Sequence, residues 1–279
     1  MTDDQTPSQR GMVTDWLIRI GSVVNATLAY IGGMAWLVYD VGLWTVRSLL
    51  LRKVRFGRAA LYSQIVRVGV QSVSIISLVS CCIGLILGLQ MAPPLNDFGQ
   101  VDKVANIISV AVLRELGPLI SAIVLTGFAG ASICAELGTM VVGEEVEALE
   151  SMALHPVRFL VIPRIFATVI CLIFLCVLGD LVAIASGAVM GVFVLDIPWG
   201  IYQSNTLDQI KMADFLTGLA KAGIFGMLIG VISCYNGLKV RGGAAGVGHS
   251  TTITVVHSIV SIIFADLLFT AIFYALGWT

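Results

Sequence analysis

What limits this chain most is a set of apolar runs, at residues 68–91, 104–134, 165–194, 215–238 and 251–277. Each meets or exceeds the ~20 residues that an α-helix needs to cross a hydrocarbon layer about 30 Å thick. No water is available there, so the backbone must bond to itself, and runs of this length resolve into helices. The class is therefore an all-α polytopic membrane protein. Of the 279 residues, 58% are apolar and 12% charged, against roughly 25% charged in a soluble domain. A net charge of −1, with no basic cluster interleaved with aromatics, excludes nucleic acid as an expected partner. The six cysteines, Cys81 and Cys82 included, all lie in apolar surroundings. There cysteine behaves as a small hydrophobe, not as part of a metal or disulfide framework.

The amino end reads differently. Residues 1–14 are expected to be a disordered polar tail, and their acidic start is the wrong flank for a cleavable signal. Residues 15–51 carry Asp15, Arg19, Asn25, Asp40 and Arg47 together with Trp16, Tyr30, Trp36, Tyr39 and Trp44. That mixture suits the headgroup layer, so an interfacial helix is expected, with a span over 26–46 as the competing reading. Arg52, Lys53, Arg55, Arg58 and Arg67 follow without an acidic residue among them. Positive charge gathers on the cytoplasmic side, which places the amino end inside. Five transmembrane helices then leave the carboxyl end outside. Arg158, Arg164, Lys239 and Arg241 fall on the inner side of this topology, and Lys103 and Lys211 on the outer. Gly84 and Gly88 form a small-xxx-small pair that admits a close helix neighbour. Pro93 and Pro94 are expected to open an outer loop. Residues 195–214 make an outer segment with room for a short surface helix, and residues 239–250 a flexible glycine-rich inner loop.

Between the second and third spans stands the one long polar interruption, residues 136–164. Glu144, Glu145, Glu147 and Glu150 lie within seven positions of one another. Val146, Leu149 and Ala153 recur at i, i+3 and i+7, which puts them on one helical face. The spacing predicts a short amphipathic helix over about 143–155, begun after Gly143 and ended before Pro156. A polar helix held between two spans is placed to meet a soluble partner. Its glutamates would face basic groups there, with Val146 and Leu149 buried in the partner.

An ionisable side chain within a span costs about 3 kcal/mol or more, so it marks either function or a buried pair. The residues concerned are Arg114, Glu115, Glu136, Asp180, Lys221 and Asp266. One reading pairs these charges between helices and fixes the packing. The other gathers Arg114, Glu115, Lys221 and Asp266 at a polar-lined cavity where a cation meets an anionic headgroup. Glu136 lies near the cytoplasmic end of its helix, a structural position. Asp180 is expected at the outer interface if the long third span tilts.

Other motifs fail on their chemistry. Residues 243–250 mimic a phosphate loop but carry His249 where the phosphate-binding lysine belongs, and no strand precedes them. Asp40 and Asp180 resemble the two-aspartate pattern of intramembrane proteases, but Val177 stands where that pattern needs glycine. His155, His249 and His257 have no metal-ligand spacing, so no metal or cofactor is expected.

Several stretches together resemble the MlaE (YrbE-like) permease family. They are residues 112–118 (VLRELGP), 135–140 (AELGTM), 144–149 (EEVEAL) with Met152 and Pro156, Pro163 with Arg164, 83–90 (IGLILGLQ) and 254–258 (TVVHS). The resemblance runs from Val68 to the end and is loose over the amino-terminal tail and first helix. It implies the membrane subunit of an ATP-binding-cassette transporter in a bacterial inner membrane. It also implies a homodimer working with a cytoplasmic ABC ATPase and an MCE-domain protein on the outer side, and moving phospholipid or a similar lipid. In this light the helix over about 143–155 is the coupling helix, with Glu144, Glu145, Val146, Glu147, Leu149 and Glu150 as its ATPase contacts, and Arg114, Glu115, Lys221 and Asp266 border the lipid cavity. ATP hydrolysis would belong to the partner, since this chain has no nucleotide site. The rival reading is a secondary transporter that uses Asp266, Glu115 and Lys221 as an ion or proton relay.

Overall fold

A computed structural model describes residues 9–50 and 58–277 of the chain. Among them there are helices and turns but no strand. The first helix, α1, is Gln9–Leu50. Two long helices follow, α2 over Ala59–Asp97 and α3 over Val101–Val142. A short helix, α4, occupies Glu145–Ser151, and the chain re-enters the bundle as α5, Val157–Phe193. Then come α6, Trp199–Gln209, α7, Met212–Leu238, and α8, Gly243–Ala275. Six helices among the described residues are long and apolar enough to cross a membrane, the five expected ones and residues 18–47 of α1.

The core lies where α3, α5 and α7 meet, around Leu125, Leu137, Leu172, Phe225 and Ile229. α2 closes on α5 through the pair seen in the sequence. A Cβ on Gly84 would collide with the Ala183 carbonyl, and one on Gly88 would lie 2.9 Å from the Met190 Cβ. Without a hydrophobic drive between helices in lipid, such close approach supplies the packing attraction. α8 buries only a narrow stripe, Val247, Thr254, Ser258 and Ile262, and leaves Val256, Val260, Phe264 and Leu268 uncovered.

Several boundaries differ from the sequence reading. Residues 1–8 of the expected tail lie outside the described residues, while residues 9–14 belong to α1. α2 continues through Pro93 and Pro94 to Asp97, where a loop was expected. Proline's fixed φ is helical, and the amide bonds it removes fall in the last turns, where carbonyls reach water. Residues 243–250 are helical instead of a flexible connector. Gly242 and Gly243, at φ of 91° and 68°, make the reversal that lets α8 begin at once. Asp180 is buried in the middle of α5, not at the outer interface. A Cβ on Gly117 of α3 would collide with its Oδ1, and its Oδ2 lies 3.7 Å from the Cys176 thiol.

Four single π turns interrupt the helices among the described residues, at Val66–Val70, Val112–Leu116, Thr126–Gly130 and Val157–Val161. Such turns insert a residue into the helical ladder and often accompany functional sites. Here the second of them carries Arg114 and Glu115.

Candidate functional site

The four charges expected at a cavity form two separate constructions, both built on the Val112–Leu116 turn. The first surrounds Lys221 on α7, which is 1% exposed. Its ammonium donates to Glu115 Oε2 at 2.6 Å, Asp266 Oδ1 at 2.8 Å and Thr270 Oγ1 at 2.9 Å. An ammonium has three donors, and all three are used. Thr270, one turn beyond Asp266 on α8, donates in turn to Glu115 Oε1 at 3.0 Å. The network thus knots α3, α7 and α8 together at one point.

The second construction uses the neighbouring residue. Arg114 Nε lies 3.4 Å from Asp214 Oδ1 at the start of α7. Asp214 is the third residue of that helix and accepts from the Lys211 backbone N–H at 3.3 Å, which caps the helix. Arg114, Asp214 and Lys211 line a cavity of about 810 Å³ with Met212, Leu216 and Phe273. That volume lies within the ~300–1,000 Å³ usual for small-molecule sites. The cavity stands at the end of the bundle away from α4. Gly138, near the end of α3 that leads into α4, packs on Val240 beyond the other end of α7.

Adjacent residues on a regular helix point about 100° apart. Arg114 and Glu115 use that divergence, and the wide turn places them against α7 at two depths. α7 can come this close because residue 218 is glycine, where a Cβ would collide with the Leu113 carbonyl.

On the opposite side α4 follows Glu144, whose φ of 60° makes a sharp left-handed turn out of α3. Glu145, Glu147 and Glu150 are exposed, as is Met152. Val146 and Leu149 are half-buried, packed inward on the chain's own core. Both stay partly exposed, so this packing leaves room for the partner's groove expected from the sequence. A seven-residue helix cannot stand free of the bundle, so its apolar stripe anchors it. Ala153 leaves that stripe, since the helix ends at Ser151 and Ala153 itself turns left-handed at φ 60°. Beneath α4, Glu136 accepts from Arg67 at 2.8 Å and pairs with the buried Arg164 at 2.9 Å. This triad joins α2, α3 and α5 and accounts for Glu136 as a structural charge.

A family model described as permease MlaE matches residues 61–272. The chain belongs to the MlaE permease family. It is similar to a probable ABC transporter permease protein of Rickettsia felis, 35% identical over 211 residues, which are 76% of this chain and 82% of that one. It is also similar to the intermembrane phospholipid transport system permease protein MlaE of Haemophilus influenzae, 34% identical over 75% of this chain and 80% of the relative. A chloroplastic relative, TRIGALACTOSYLDIACYLGLYCEROL 1 of Arabidopsis thaliana, is 33% identical over 76% of this chain and 60% of its own length. The MlaE match begins beyond α1, where the motif resemblance was also loose.

Within this MlaE-family chain the four cavity candidates separate. Arg114 lines the cavity, whereas Glu115, Lys221 and Asp266 form the neighbouring knot. Asp214 and Lys211 join the cavity, and neither was expected there from the sequence, where Lys211 served only as an outer charge. The signal for Asp214 was an acid three residues into a helix after a polar cap position. Thr270 and Tyr30 were missed as well. The Tyr30 hydroxyl lies 3.0 Å from Asn236 Oδ1 and 3.1 Å from His257 Nδ1, and so ties α1 to α7 and α8. Nothing in a hydroxyl's local sequence says which distant helix it will reach.

Proposed function

We propose that this chain is the permease subunit of an ATP-binding-cassette system that moves phospholipid between a bacterial inner membrane and the envelope beyond it. The cavity carries this reading. Two cations, Arg114 and Lys211, stand beside Met212, Leu216 and Phe273. That combination accepts a phosphate diester at one end and acyl chain at the other. The relative from Haemophilus influenzae bears the name of a phospholipid transport permease, which supports the same substrate class.

The working unit is a homodimer with a cytoplasmic ABC ATPase pair and an MCE-domain protein on the outer side. α8 has a largely uncovered apolar face, and its far end borders the cavity through Phe273. A second copy meeting α8 would close the cavity around a lipid. The exposed glutamates of α4 would dock on basic residues of the ATPase, so that ATP-driven closure moves α3 and α5 together through Glu136. The amino end is cytoplasmic, in keeping with the basic residues 52–67.

α1 lies in the interface on that same side. Tyr30 meets Asn236 near the end of α7, and Trp44 packs on His155 between α4 and α5, with ring centroids 5.2 Å apart. Fourteen residues, about 21 Å of helix, separate these contacts, yet both lie at ends of the bundle facing α4. A helix running along the membrane plane meets both.

The test is reconstitution of the complex in vesicles with fluorescent phospholipid. Transfer should need ATP and should fall at least tenfold in an Arg114→Ala/Lys211→Ala chain that still assembles. Transfer at the normal rate in that variant would remove the headgroup role of the cavity. Transfer driven by an ion gradient without ATPase would establish the secondary-transporter reading instead.

A further inference from the structure

A second cationic construction lies where the end of α1 meets the start of α5. Trp44 is its centre. The Arg47 guanidinium carbon lies 5.7 Å from the Trp44 ring centroid and that of Arg158 lies 5.9 Å from it. Arg158 also lies 5.0 Å from the Phe159 ring, and the His155 ring packs on the same indole. Attraction to a π face accounts for one guanidinium on an indole. Two guanidiniums against one ring gather positive charge at that point, a setting that suits an anion. No carboxylate among the described residues forms an ion pair with either; the same holds for the exposed Arg19 and Arg241, whereas Arg67, Arg114 and Arg164 each have one. Both guanidiniums thus stand beside aromatic rings without a carboxylate to neutralise them. Arg47 is exposed and Arg158 half-buried. Val46 and Phe159 beside them are exposed apolar side chains. The indole marks the depth of the headgroup layer, where tryptophan concentrates. His155 follows α4 by four residues, so the site is on the membrane face where the acidic helix stands.

We propose that Arg47 and Arg158, gathered on Trp44, form a site for the phosphate of one anionic phospholipid in the leaflet on the α4 side. The two forks take the phosphodiester oxygens, and the acyl chains lie along Phe159 and Val46. The lipid would be a resident one, set apart from the cavity at the other end of the bundle. It would hold α1 to the root of α5 through its headgroup. The site needs neither the transport reading nor the cavity.

The experiment uses the purified full chain in phosphatidylcholine nanodiscs containing graded phosphatidylglycerol, with retained lipid counted by native mass spectrometry. The wild type should retain phosphatidylglycerol over phosphatidylcholine. Arg47→Gln/Arg158→Gln should lose one retained phosphatidylglycerol per chain, with a preference lowered roughly tenfold, and Arg47→Lys/Arg158→Lys should recover most of it. Arg114→Ala should leave this lipid in place, which separates it from any lipid in the cavity. If the double glutamine variant does not fold, the single Arg47→Gln, at an exposed side chain, decides with the same count. Equal retention in wild type and variant would overturn the proposal. Displacement by inorganic phosphate with no lipid preference would make it a free-anion site, and so would also overturn it. So would an unchanged lipid count with lost ATPase association, which would identify a protein-docking surface.

Discussion

The knot around Lys221 and the cavity beside Arg114 are built from adjacent residues of one turn, and they are opposites. Lys221 is buried, and each of its three donors is used within the chain. Arg114 has a partner in Asp214 but stands at the wall of an open space. A saturated charge has nothing left to offer a ligand, so its contribution is to hold helices. A charge facing an apolar-walled cavity is placed to act on what enters. An ionisable residue within a span therefore signals importance without saying which of these roles it has.

The contrast can be broken most severely at Lys221. Lys221→Met leaves the Glu115 and Asp266 carboxylates facing each other without a cation, and should destabilise the fold by about 3–5 kcal/mol. Thermal unfolding in detergent would show it. Lys221→Met/Glu115→Gln/Asp266→Asn should recover most of that loss. A triple variant as unstable as the single one would mean that packing, not charge, holds the knot. Next in size is Gly218→Ala, which should cost roughly 1–3 kcal/mol by forcing α7 off the Leu113 carbonyl. Both regions should feel it, with a lower unfolding temperature and slower transport together. Arg114→Ala separates the regions: transport should fall about tenfold, equivalent to about 1.4 kcal/mol, with an unfolding temperature lowered less than in Lys221→Met, because Asp214 keeps the Lys211 N–H and borders the cavity. Smallest for the fold is Glu147→Lys, at an exposed position on α4. It should leave unfolding unchanged within about 0.5 kcal/mol while ATP hydrolysis proceeds without transport. A Glu147→Lys chain that transports normally would remove the coupling role of α4.

Much of this was legible beforehand. The five later spans and the Gly84–Gly88 approach follow from local pattern, and so does the position of the acidic helix. Arg114 was expected at a lipid-binding cavity; the structure shows it at the wall of an open cavity, and that this cavity binds lipid is our proposal. Glu115, Lys221 and Asp266 were picked out with it, but their mutual bonds make a knot beside that cavity. Asp214 and Lys211 were read as parts of an outer segment because they lie at a helix start, outside the apolar run. Val146 and Leu149 were correctly placed on one face of α4, but a helical face does not say whether a partner or the chain's own core will cover it. The helical start of α8 was hidden by its glycines, which in isolation favour a flexible connector.

The sequence by itself determined the class of molecule and the order of its spans. In lipid each helix must satisfy its own backbone, so length and apolarity are local quantities that a run of letters displays. Only the tertiary structure decided which charges are closed and which face the cavity. That outcome depends on three helices from distant parts of the chain meeting at one turn, and on a glycine that lets the third come close enough. Two adjacent letters, Arg114 and Glu115, carry no mark of the different neighbours that the packing gives them.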